Sequence, residues 1–214
     1  MAKRNYPNNG FPSVTDVLGV LRSIALEMWF KNNTPEFIAR ESAIGREVGT
    51  EIHEAIEQYI QTGEAALETK HTEEAQNALS SFALFCKENK HIKLKKAELA
   101  LTSETYKFNG TIDCIGDPLI IVDWKTGKRK NEERPPVYSN YKDQVSAYVY
   151  LYNDNHAKKI TEALIIPIAK DAVSYNSYRL TEQEIDFRFH EIFLPALKIY
   201  NAQKQRSFAD ALQS

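Results

Sequence analysis

Asp113, Asp123 and Lys125 are the residues whose types and spacing best suit chemistry. Leu119–Val122 is a continuous apolar run, the pattern of a strand buried on both faces, and Asp123 and Lys125 follow it directly. Two residues apart on an extended strand, they point to one face. Asp113 comes late in the preceding predicted strand, Tyr106–Ile115, which is rich in β-branched and aromatic residues. Gly116-Asp117-Pro118 between the two has the composition of a tight turn. Two carboxylates and an ammonium at the ends of core strands are costly to desolvate unless they bind something. Facing carboxylates suit a hard divalent cation, and a lysine beside them suits a phosphate or a nucleophilic water. A D-x-K triplet alone is also the material of a surface ion pair worth under about 1 kcal/mol. Its context here, an apolar strand before it and an acid in the strand before that, favours the site.

The elements that must carry these residues are legible in outline. Met1–Gly10 is polar and reads as a mobile tail. Ser13 with Asp16 three residues on is close to a capping box and predicts a helix over Val14–Lys31, with Val17, Leu21, Ile24, Leu26, Met28 and Trp29 on its apolar faces. The Ser13 and Thr15 hydroxyls at that helix start suit capping and equally suit a phosphate. Thr34-Pro35 restarts a helix, and Glu36–Gln61 reads as one broken helix or two. Gly45, Gly49 and His53 share one face of it at four-residue spacing. Each glycine costs about 1 kcal/mol against alanine, so close approach by a neighbouring element or a ligand is expected there. His53 on that face is open to a structural or a ligand role.

Thr72–Glu88 predicts an amphipathic helix offering Ala75, Leu79, Phe82, Ala83 and Phe85 to the core, and Leu94–Ser103 a strand. Glu98 lies opposite that strand's apolar set; it faces solvent, or reaches the acids if the strand pairs with Tyr106–Ile115. Thr126–Asn140 is a predicted loop, broken by Gly127 and Pro135-Pro136, and its Lys128, Arg129 and Lys130 place a basic run beside the carboxylates. A second basic run, Lys87–Lys96, reads as a solvated face. A helix over Tyr141–Asn153 puts Gln144 and Tyr148 one turn apart. Strands over Ile160–Ala169 and Val173–Leu180 and a closing helix over Thr181–Gln205 complete the chain. The order predicts an α/β fold with a central mixed β-sheet flanked by helices. It is read as one domain over 1–214, with a helical region at 11–92 and a sheet core with its closing helix at 93–214.

Composition bounds the function. The chain has 214 residues with 43% hydrophobic content, enough for a full core and too apolar for disorder. No run approaches a bilayer span and no signal-peptide pattern opens the sequence, so a soluble, intracellular (cytoplasmic) protein with no membrane partner is expected. Its net charge of −2 argues against sequence-independent coating of nucleic acid, though not against a local basic groove. Cys86 and Cys114 are its two cysteines, expected to be reduced and buried, and they supply no zinc site.

The motifs taken in order, His53, Glu98, Gly110-x-x-Asp113, Asp123-x-Lys125 and Gln144-x-x-x-Tyr148, resemble those of the PD-(D/E)XK nuclease superfamily in its RecB-like branch. Phe11-Pro-Ser-Val-Thr15 and a helix ending at Trp29 resemble the phage exonucleases and the mitochondrial genome-maintenance exonuclease of that branch. The resemblance spans Phe11–Tyr148 and implies a restriction-endonuclease-like core behind an N-terminal helical region. It implies that His53, Asp113, Asp123 and the Trp124 carbonyl ligate Mg²⁺ or Mn²⁺, with Glu98 contacting a metal or its waters. Lys125 would orient the attacking water and neutralise phosphate charge. Gln144 and Tyr148 would position the site or the substrate strand, and Ser13, Thr15, Lys128 and Arg129 are further substrate-binding candidates. Some members hold an iron–sulfur cluster on four cysteines; this chain has too few. The implied activity is a metal-dependent DNA exonuclease acting on single strands. A structure-specific or restriction-type endonuclease and a non-catalytic DNA-binding subunit are the alternatives. A phage or bacterial origin and recombination or replication proteins as partners are expected on the same ground. Trp29, Trp124 and Tyr148 are the aromatics expected to be available for stacking on bases.

Overall fold

The computed structural model describes residues 9–21, 24–63, 72–131 and 133–211. A five-stranded mixed sheet runs in the order β1-β2-β3-β4-β5. β3 (Ile120–Gly127) lies at its centre. It pairs antiparallel with β2 (Phe108–Asp117) and parallel with β4 (Ala163–Ala169), while β1 (Lys93–Ser103) and β5 (Tyr178–Leu180) form antiparallel edges. The parallel step from β3 to β4 needs a crossover, supplied by α5 (Ser139–Asn155). Helices cover both faces, which is why the apolar run at 120–122 is buried throughout.

On one face Phe108, Ile112, Ile121 and Ile165 pack with Val145 and Leu151 of α5 and with Phe189 and Phe193. Those two rings lie on a π-helical turn, Phe189–Phe193, between α6 (Glu182–Arg188) and α7 (Leu194–Ala211). On the other face α3 (Pro35–Thr62) and α4 (Glu73–Glu88) bring Ile52, Ile56, Phe82 and Phe85 onto Val122, Trp124 and Ile166. Ala83, expected in this core, faces solvent; Cys114 is buried, and Cys86 half-buried.

Several boundaries differ from expectation. The first predicted helix is split into α1 (Val14–Leu18), capped at Gly19, and α2 (Ile24–Asn32). Glycine is a poor helix former, and a side chain there would press on the Asp16 carbonyl at 3.1 Å. Residues 36–61, by contrast, belong to one unbroken helix. α3 starts on a Thr34 cap and Pro35, and ends at Gly63 in the left-handed conformation (φ 77°). β3 continues through Gly127, where a loop was expected, because β4 pairs with it as far as Ala169. β5 is only three residues long, with Tyr175 adding an isolated bridge to Ile168. The chain start is tied down from Asn9, whose amide donates to Asn109 Oδ1 at 3.1 Å; the rest of the predicted tail, 1–8, lies outside the described residues.

α5 is held to α6 by charge. Arg188 donates to Asp143 at 2.6 Å and to Glu184 at 3.1 Å. Burial pushes the Asp143 carboxyl up, and Arg188 opposes the shift. Asp143 is buried, so losing its cation leaves an unpaired charge in the interior. Arg188→Ala should therefore destabilise the fold by roughly 2–3 kcal/mol in denaturant titration, because the pair is partly buried. An unchanged midpoint would assign α5 its position by apolar packing alone.

Candidate active site

Three registers meet at the C-terminal half of β3. β2 and β3 pair from Gly116↔Ile120 to Cys114↔Val122, and there the pairing stops. Asp113, the next residue of β2, replaces the ladder: its Oδ2 accepts from the Trp124 backbone N–H at 3.0 Å. The N–H and C=O of one strand residue lie on the same edge, so the Trp124 carbonyl faces this gap as well. On the other side of β2, Glu98 stands opposite Asp113, between the pairs Ala97↔Cys114 and Leu99↔Ile112. A bulge between Leu94 and Lys96 precedes it, and Glu98 itself adopts φ 49°. A left-handed conformation at a non-glycine costs about 1–2 kcal/mol, and such strain collects at functional sites. Of the two fates open to Glu98, the pairing of β1 with β2 selects the acidic cluster.

α3 supplies the imidazole. His53 Nδ1 lies 3.8 Å from Glu98 Oε1 and 3.9 Å from Asp113 Oδ2. Ligand atoms of His53, Glu98 and Asp113 fall within 4.8 Å of one another, close enough for one cation. Burial lowers the basicity of His53, but the Asp113 charge and Glu98 outweigh it and hold the pKa above the ordinary value. Of the two reasons expected for the glycines on the same face, a neighbouring element is not one: among the described residues nothing lies within 4 Å of a side chain at Gly45, and at Gly49 only Thr126 Oγ1 does, at 3.7 Å, an ordinary contact.

Asp123 is completely buried, and among the described residues its close partner is the Lys125 ammonium, with Nζ 2.7 Å from Oδ2. Burial raises the Asp123 pKa to about 7, with Lys125 pulling it down and Asp113 pushing it up. Lys125 loses solvation as well, yet Asp123 and Asp113 keep its pKa above the usual lysine value. This arrangement is short of positive charge. Its donor set, two or three carboxylates, an imidazole and a free carbonyl edge, fits a divalent cation.

The remaining candidates divide. Gln144 Nε2 donates to Tyr148 Oη at 2.7 Å, and Tyr148 is buried, its pKa raised well above the ordinary value by burial and by Asp113 and Asp123. That ring explains the glycine of the G-x-x-D motif. A Cβ at Gly110 would meet Leu151 Cδ2 at 2.8 Å and Tyr148 Cε1 at 3.0 Å. Trp124 is also buried, edge-on to Phe82 (5.0 Å) and Phe85 (5.4 Å), so neither it nor Tyr148 offers a face to a base. Lys128 is exposed and lies 3.5 Å from Glu74, whereas Arg129 pairs with Asp171 at 3.5 Å. Ser13 and Thr15 bond to each other at 3.0 Å, and Ser13 completes a capping box with Asp16 at the start of α1, bridged to Asn109 of β2. Capping uses the Ser13 hydroxyl, and the Thr15 hydroxyl bonds to it without capping. A residue not foreseen from sequence is Tyr141, whose ring centroid lies 5.6 Å from Lys125 Nζ. Its spacing from Gln144, one helical turn, was the available signal.

A family model described as the PD-(D/E)XK nuclease superfamily matches residues 73–213. The chain belongs to that superfamily. The match takes in Glu98, Asp113, Asp123, Lys125, Gln144 and Tyr148, and the mixed sheet with its flanking helices is the restriction-endonuclease-like core of a PD-(D/E)XK nuclease. A putative exonuclease from Eubacterium rectale has the same fold, with TM-score 0.53 at 12% identity over 94% of this chain and 87% of its own. LHK-Exo from Laribacter hongkongensis, in complex with dAMP, gives TM-score 0.47 at 10% identity over 95% of this chain and 94% of its own. The structure of SSO0001 gives TM-score 0.32 at 17% identity over 53% of this chain; the match spans only 57% of that protein. No curated protein matches the sequence. No helix among the described residues is long and apolar enough to cross a membrane.

Two substitutions separate position from chemistry here. Gly110→Ala should push the Tyr148 ring off β2 and cost about 1–3 kcal/mol of stability, an overpacking effect; a wild-type melting temperature would mean the ring moves freely. Glu98→Gly removes both the carboxylate and the left-handed strain. It should leave melting unchanged or higher while lowering nuclease turnover; a loss of stability with full turnover would make Glu98 structural.

Proposed function

We propose that this chain is a metal-dependent DNA exonuclease working from free ends of single-stranded DNA. The observation that carries the hydrolytic chemistry is Asp123, a fully buried carboxylate paired with the Lys125 ammonium at 2.7 Å and sharing its site with Asp113. A carboxylate is tolerated there when more positive charge joins it. In this reading His53, Asp113, Asp123 and the Trp124 carbonyl hold Mg²⁺ or Mn²⁺, with Glu98 contacting the ion or its waters. The imidazole shifts the preference toward Mn²⁺. The bound ion supplies a water acidic enough to attack near neutral pH and offsets charge on the phosphate.

The protein groups do the rest. Lys125, held protonated by two carboxylates, orients the attacking water and meets the developing phosphate charge. Asp113 keeps the end of β3 in place through the Trp124 N–H. Gln144, fixed by Tyr148, positions the strand, and Lys128 and Arg129 sit on the loop following β3, where a backbone passes. Support for a threaded single strand comes from α3. Its first half, Pro35–Glu47, contains no buried residue, while Val48, Ile52 and Ile56 further on are in the core. The helix thus leaves the body next to the His53 turn, and its face at Gly45 and Gly49 is open to a passing chain.

Linear and circular single-stranded DNA of one sequence, each incubated with Mg²⁺ or Mn²⁺, test the reading. The linear form should be degraded and the circle spared, and EDTA should stop the reaction. Asp123→Ala should lower turnover at least about a hundredfold, the loss expected when several kcal/mol of charge stabilisation go. Equal cleavage of circle and line would move the protein to an endonuclease; activity in EDTA or in Asp123→Ala would remove the metal site.

A further inference from the structure

Resting on the nuclease reading, we propose that Tyr138 is a stacking platform for an unpaired base of the substrate strand, next to the phosphate being cleaved. Tyr138 is 54% exposed, yet its ring is not loose. It meets Tyr141 edge-on at 5.3 Å and 80°, and Tyr141 lies beneath the Lys125 ammonium. The path from Asp123 through Lys125 and Tyr141 to Tyr138 therefore consists of direct contacts, from the buried carboxylate out to solvent.

The local backbone gives a second, independent reason. Tyr138 is the N-cap of α5, with extended φ and ψ and no side-chain hydrogen bond to the helix. Serine, threonine, aspartate and asparagine are the stabilising residues at that place. An exposed tyrosine there neither caps the helix nor joins the core, so the fold itself gains little from it. What it presents is a flat apolar face at the rim of the acidic site. Bases stack on such faces irrespective of sequence. A base inside a duplex has both faces covered, so the platform selects an unpaired nucleotide. The segment leading into Tyr138 adds a net positive charge: Lys130 and Arg134, against the one acid Glu133, line an open cavity of about 780 Å³ together with Asn131, Pro136 and Asn176. A backbone leaving the platform in that direction would meet positive charge.

Tyr138→Ser is the deciding variant because it removes the ring while installing a good cap. Its melting temperature should equal or exceed that of the wild type. Its KM for single-stranded DNA with Mg²⁺ should rise about tenfold, within the range for losing one stacked base, with kcat within about twofold. Tyr138→Phe should behave as wild type. Oligonucleotides with one abasic nucleotide, moved stepwise from the digested end, should show a KM penalty at one or two positions for the wild type and none for Tyr138→Ser. A wild-type KM in Tyr138→Ser, the same abasic penalty in both proteins, or a fall in melting temperature that accounts for the KM change overturns the platform alone. A wild-type chain inert on all DNA with Mg²⁺ and Mn²⁺ overturns the nuclease reading and the platform with it.

Discussion

The hydrogen bond from the Trp124 N–H to Asp113 decides where the site can be. Until Cys114↔Val122, β2 and β3 satisfy one another's backbone. Beyond it β2 keeps only β1, with which it pairs along its whole length, and the edge of β3 facing β2 would carry unpaired groups in a buried place. A side-chain carboxylate takes the donor, which leaves the neighbouring carbonyl edge and two carboxylates in one small opening. The aromatic packing behind it makes the opening rigid: Trp124 is wedged between Phe82 and Phe85 on α4, so the end of β3 cannot relax to close the gap. α3 lies on the same face, and its packed half ends within two turns of His53.

The parts of the molecule legible in sequence are those decided locally. The run at 120–122 signalled a doubly buried strand, and the break in that run at Asp123 signalled the site. Capping residues located the starts of α1, α3, α4 and α6 because Ser13, Thr34, Thr72 and Thr181 each accept a backbone N–H. What stayed hidden depends on distant partners. Asp123 and Lys125 look like the end of a strand, yet β4 supplies pairs through Gly127↔Ala169. α3 absorbs two glycines without breaking because Val48, Ile52 and Ile56 are anchored in the core. The direction of Glu98 depends on a bulge three residues earlier, which no local pattern marks. Aromatic identity was also ambiguous: Trp124 and Tyr148 are core, whereas Tyr138, in what read as a loop, is exposed and joined to Lys125 through Tyr141.

Three residues around the site serve the fold poorly. Glu98 sits in a backbone conformation that suits glycine, Tyr138 occupies a cap position without capping, and Asp123 is a completely buried acid whose close partner is itself a desolvated ammonium. Each departure carries a stability penalty of about 1 kcal/mol or more. Lys107 and Asn131 also adopt left-handed φ (62° and 53°), but both lie in turns between elements, whereas Glu98 lies inside a strand. Departures of three different kinds gathered around the C-terminal half of β3 are what a functional site looks like when most of the sequence is consistent with the fold.

Charge closes the argument. Asp113, Asp123 and Glu98 bring three carboxylates against Lys125 and a histidine whose pKa is raised by them. Two upward shifts meet at one place: burial, with Asp113 adding to it, pushes the Asp123 carboxyl up to about 7, and the Asp113 charge and Glu98 raise the His53 imidazole against its own burial, so both groups mark a place that favours added positive charge. In the absence of a further cation the site satisfies this only by binding protons. A divalent ion does it better, because it meets several oxygens at once and loses little to water in so small an opening. Its binding would then be coupled to stability: the folded chain, and not the unfolded one, brings His53, Glu98 and Asp113 within reach of one ion, which would shift the folding equilibrium toward the native state. The same lack of positive charge is what makes the arrangement chemically suited to a divalent cation.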